Sequence, residues 1–75
     1  MYNDSVLINK EAKLDSKTII NTLEKNGWYL ARVRGDHHVF KNPKYRFNVV
    51  VTHPVKDVPI GQVRDVMRKT GIKLK

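Results

Sequence analysis

Residues 28–52 read Trp-Tyr-Leu-Ala-Arg-Val-Arg-Gly-Asp-His-His-Val-Phe-Lys-Asn-Pro-Lys-Tyr-Arg-Phe-Asn-Val-Val-Val-Thr, and this stretch decides the fold. It is rich in aromatic and β-branched residues and is interrupted twice by turn formers. Gly35-Asp36 is a hairpin-type dipeptide, and Asn42-Pro43-Lys44 breaks the chain again. Three strands follow, at 28–34, 37–41 and 45–51. His53-Pro54 closes the sheet, because proline has no N–H to donate to a ladder.

Helical patterns flank the strands. Upstream, Ile19, Ile20 and Leu23 make one apolar side. Asp15 or Ser16 can cap that helix, and Leu14 with Ile19 has the spacing of a hydrophobic staple around an Asp15 cap. Asn26-Gly27 supplies its stop. Downstream, a helix is predicted from Pro59 to Thr70, with proline in its first turn and Gly71 as its stop. Ile60, Val63, Val66 and Met67 form its buried stripe, and Arg64 and Arg68 share another face. The expected fold class is α+β: a single small α-β-β-β-α domain whose three-stranded antiparallel sheet carries both helices on one face. Residues 15–75 form this domain. Residues 1–14 read as an N-terminal extension, either a mobile tail or a short edge strand at Val6-Leu7-Ile8.

Composition narrows the function. The chain has 75 residues and no cysteine, so disulfides, thiolate metal sites and thiol nucleophiles are excluded. No stretch approaches the roughly 20 apolar residues of a membrane helix, and the first ten residues lack a signal-peptide core. The expected compartment is the cytoplasm. Fifteen Lys and Arg against seven Asp and Glu give a net charge of +8, all of it in residues 15–75. A small domain with that surplus favours polyanions, whether nucleic acid or an acidic protein. The four glycines are isolated, so no phosphate-binding glycine loop is present, and no serine or carboxylate pair stands in a catalytic context.

Strand alternation sorts the remaining candidates. If Phe40, Phe47 and Val49 face the helices, then His37, Lys41, Arg46 and Asn48 face outward beside the Gly35-Asp36 turn. An imidazole among cations can hold a phosphate and move a proton. The plainer reading of His37 is a turn histidine bonded to backbone. His38 is expected to face the core, and His53 to be hydrogen-bonded at the strand exit. Adjacent strand histidines point apart, which argues against a metal site from the three. Trp28-Leu30-Arg32-Arg34 alternates with Tyr29-Ala31-Val33, apolar on both sides, so the first strand has no assigned phase. Arg32, Arg34, Lys41, Lys44 and Arg46, with Gly35 at the turn, are the candidate polyanion contacts; a solvated strand edge is their plainer reading. Arg64, Arg68 and Lys69 read as ordinary helix surface. Trp28, Tyr29, Phe40, Tyr45 and Phe47 can stack bases but are expected mostly in the core.

Taken in order, Leu23 to Trp28, Arg32 to Phe40, Thr52 to Gly61 and Arg68 to Ile72 resemble the HicA family of toxins from bacterial toxin–antitoxin pairs. The resemblance runs from about Ser16 to Ile72. It implies a fold similar to the double-stranded RNA-binding domain and a metal-independent endoribonuclease (an mRNA interferase) that cleaves messenger RNA as a single strand. It also implies no cofactor and a HicB-type antitoxin as partner. The family's catalytic histidine corresponds to His37. Asp36 stands where the family usually has serine, and a carboxylate there either orients the imidazole or repels RNA phosphate. In that mechanism Lys41 and Arg46 hold the phosphate, and water, Lys41 or His53 supplies the acid. Two other classes stay open: a non-catalytic RNA-binding module of the same fold, and a domain whose basic face meets only an acidic protein.

Overall fold

The computed structural model describes residues 14–74. Its elements run α1 (Ser16–Lys25), β1 (Tyr29–Arg34), β2 (His37–Lys41), β3 (Val49–Thr52) and α2 (Ile60–Thr70). The strands form one antiparallel sheet in chain order. Both helices pack on β3, on the sheet face that carries Phe40, Val49 and Val51. These three side chains close over Ile19 and Leu23 of α1 and over Val63 and Val66 of α2. The order of elements and the placing of both helices on one face agree with the expected α+β architecture. The expected extension falls outside the described residues except for Leu14, which packs against the core.

Helix boundaries follow from their caps. The Asp15 carboxylate accepts from the Thr18 backbone N–H at 2.9 Å, so Asp15 is the N-cap and Ser16 the first helical residue. Ser16 is more than a helix start. Its backbone N–H donates to the Val55 carbonyl, and its hydroxyl accepts from the Val55 N–H at 2.8 Å while bonding His53 Nδ1 at 2.6 Å. The Leu14 carbonyl accepts from Val58. The start of α1 is thereby stitched to the chain that leaves β3. At the other end, Gly27 takes φ +91°, and a Cβ there would meet the buried Asn42 side chain at 3.2 Å. α2 starts after Pro59 without a side-chain cap and ends at Gly71, whose N–H donates to the Met67 carbonyl.

The third strand is shorter than the expected 45–51: it begins at Val49. Asn42 is the reason. Its side-chain oxygen accepts from the Lys44 N–H at 2.9 Å, its carbonyl from the Tyr45 N–H at 2.9 Å, and its amide donates to the Asn26 carbonyl. This side-chain-locked turn carries Tyr45 and Phe47 onto Trp28 instead of into the ladder. Phe47 therefore does not face the helices from within the sheet, and Arg46 and Asn48 are loop residues.

The start of α1 can be probed in two ways. Ser16→Ala leaves the Val55 N–H and His53 Nδ1 without their hydroxyl partner, and should lower unfolding stability by about 1–3 kcal/mol in a urea titration. Asp15 is held below the usual carboxylate range by hydrogen bonds from the Thr18 side chain and then its backbone N–H. A carboxyl whose folded pKa is depressed stabilises fully above its unfolded pKa and loses that contribution as pH falls through the folded value. Asp15→Asn should therefore lower the urea midpoint at neutral pH, with the deficit shrinking in acid.

Candidate functional site

The hairpin between β1 and β2 is a two-residue loop of Gly35 and Asp36, with Arg34 opposite His37. Gly35 sits at φ +60°, the first central position of a tight hairpin turn that glycine adopts without strain. The Asp36 carbonyl accepts from the His53 N–H at 2.8 Å, so the exit of β3 braces the turn from the other side.

Register decides which side chains share a face. Phe40 pairs with Val49 and His38 with Val51, so His38, Phe40, Val49 and Val51 look toward the helices. His37, Val39 and Lys41 look away, beside Val50 and Thr52. His37 is 61% exposed, and its Nε2 lies 3.8 Å from an oxygen of the equally open Asp36 carboxylate. His38 is half-buried on the inner face. Its ring meets that of His53 edge-on with centroids 5.0 Å apart, and its Nδ1 has no hydrogen-bond partner among the described residues. His53 holds Ser16. The first histidine is thus open to solvent and the other two are turned inward, on the opposite side of the sheet.

The first strand, which had no phase in the sequence, contains a bulge. Leu30 pairs with Phe40 and Arg32 with Val39, so Ala31 is an extra residue with no partner. The bulge shifts the alternation by one. Before it, Tyr29 joins Lys41 on the outer face; after it, Arg32 and Arg34 join the same face, while Leu30 and Val33 share the inner one. Apolar residues on both alternation sets are thus reconciled, and both arginines come to the face of His37. Sequence reasoning missed this because a bulge at an alanine carries no strong local signal.

The cations do not gather as expected. Arg34 is directly opposite His37, and Arg32 is two residues further along β1. Lys41 shares the outer face but lies four residues along β2 from His37, about 13 Å of strand. Lys44 and Arg46 lie in the loop at that same far end, because β3 starts only at Val49. The partner set beside His37 is therefore the arginine pair, and Lys41, Lys44 and Arg46 form a second group. On α2, Asp65 pairs with both Arg68 and Lys69, consistent with an ordinary helix surface.

The structure is a small basic α+β domain with an open histidine and an exposed arginine at a braced hairpin. The family model for the HicA toxin of bacterial toxin–antitoxin systems matches residues 16–72, and the chain belongs to that family. It is a toxin of a toxin–antitoxin system, in a family that is generally ribonucleolytic and paired with antitoxins. No curated protein sequence matches the chain. None of the helices among the described residues is long and apolar enough to cross a membrane.

Replacing Arg32 and Arg34 together by alanine should weaken RNA binding across sequences. It should also flatten the dependence of log affinity on log salt by about 0.7 for each single-strand phosphate that is no longer neutralised. Fluorescence anisotropy over a salt series measures both.

Proposed function

We propose that this toxin is a metal-independent endoribonuclease that cuts messenger RNA in the cytoplasm with His37 as general base, and that a HicB-type antitoxin neutralises it. The observation that carries the reading is the position of His37: open to solvent at the hairpin tip, directly across from Arg34. The 15–75 region is the catalytic domain, and residues 1–14 are an extension to it.

In this mechanism the neutral His37 imidazole takes the proton from a ribose 2′-hydroxyl. The 2′ oxygen attacks the adjacent phosphorus, the bond to the 5′ oxygen breaks, and the products are a 2′,3′-cyclic phosphate and a 5′-hydroxyl end. Arg34 stabilises the charge that builds on the phosphoryl oxygens, with a planar donor fork suited to phosphate. Three groups are candidates for the leaving-oxygen acid. Lys41 is a strand's length away, and His53 is committed to Ser16 on the inner side. Water from the open outer face is the remaining donor. Asp36 stands beside His37, one carboxylate oxygen 3.8 Å from its Nε2. The net charge of +8 suits RNA and an acidic inhibitor alike.

The test is a messenger RNA incubated in EDTA with wild-type protein and with His37→Ala, followed by end mapping. Wild type should yield cyclic-phosphate ends, and the variant should be slower by about 10²–10⁴-fold with its fold intact. Equal cutting by both defeats the assignment of His37. Salt-sensitive binding with no cleavage by either makes the chain a binding module instead.

A further inference from the structure

We infer that the Tyr45–Phe47 loop is a second RNA-binding surface, a stacking platform for unpaired bases at the end of the sheet remote from His37. This rests on the ribonuclease reading and adds to it a second surface, apart from His37, that holds the strand by its unpaired bases.

Five observations converge on that loop. Tyr45 stacks on Trp28 with ring centroids 5.0 Å apart and planes 23° from parallel, and Phe47 lies 5.3 Å from Tyr45. Trp28 is buried, but Tyr45 and Phe47 remain 39% and 38% exposed, an aromatic surface anchored on the core and open on the other side. Lys41, Lys44 and Arg46 lie in or next to this loop in the chain and are all exposed. No carboxylate occurs anywhere between Asp36 and Asp57, so the cations of this segment have no acidic neighbour in sequence. Finally, the loop is held in shape: Asn42 is buried and makes three hydrogen bonds across the turn and to α1.

This combination matches one ligand chemistry. Exposed aromatic faces flanked by cations accept nucleobases by stacking and backbone phosphates by charge. A base already stacked inside a duplex has no face to offer, so the platform selects single strands. Because the platform is distinct from His37, removing its rings should weaken RNA binding without removing the base that does the chemistry.

The experiment uses the full chain carrying His37→Ala, which keeps RNA intact during titration, with and without Tyr45→Leu and Phe47→Leu. Leucine keeps an apolar group against Trp28 but presents no ring. The probes are a short fluorescein-labelled single-stranded RNA and the same strand annealed to its complement. The expected result is preference for the single strand and a loss of about tenfold to a hundredfold in affinity for the double leucine variant. Wild-type protein should cut the same single strand. If the leucine variants unfold, the emission of Trp28, the one tryptophan in the chain, decides: single strands should quench it and duplex should not. Unchanged affinity in folded variants, or equal binding of duplex, overturns the platform while leaving the ribonuclease reading in place. Failure of wild type to bind or cut either RNA overturns both.

Discussion

Burial of Phe40, Val49 and Val51 against two helices is the constraint from which the rest of this molecule follows. Strand side chains alternate with a period of two, so fixing one face fixes the other. With Phe40 and its inner-face neighbour His38 turned toward the helices, His37 has to point to solvent. A slip of one residue would put His37 into the core and Phe40 into water, and in so small a domain no other apolar layer would compensate. The exposed imidazole is thus a consequence of core packing and needs no separate device to hold it out.

Two local features then adapt that sheet. The bulge at Ala31 lets β1 place Leu30 and Val33 on the inner side and Arg32 and Arg34 on the outer side. Without the extra residue, one set would have crossed to the wrong face. The Asn42 turn shortens β3 and turns Tyr45 and Phe47 toward Trp28. Both features trade ladder hydrogen bonds for placement of side chains. The first brings charge to the hairpin tip, and the second builds an aromatic surface at the opposite end.

The three histidines illustrate how one residue type serves different ends. His37 has an open ring beside Asp36 and across from Arg34. His53 is a structural partner: it meets Ser16 and contacts His38, joining the strand exit to the start of α1. The same connection places the His53 backbone against Asp36, so the packing at the helix start and the shape of the hairpin turn are mechanically linked.

Most of the architecture was legible in residue patterns. Helix periodicity, a cap at Asp15 or Ser16, the Gly71 stop and the Gly35 hairpin are local, governed by backbone sterics and short-range hydrogen bonding. The outward direction of His37 also followed from alternation alone, because Phe40 had to be buried. Tertiary structure decided the rest. Whether Tyr45 and Phe47 extend a strand or fold onto Trp28 depends on Asn42 reaching Asn26, sixteen residues away. Which cations stand beside His37 depends on the register of β1 against β2, and a bulge shows itself only in the pairing of two strands. Such long-range contacts bring together residues whose local signals are silent, so Arg34 and the aromatic loop take their places only once the chain is folded.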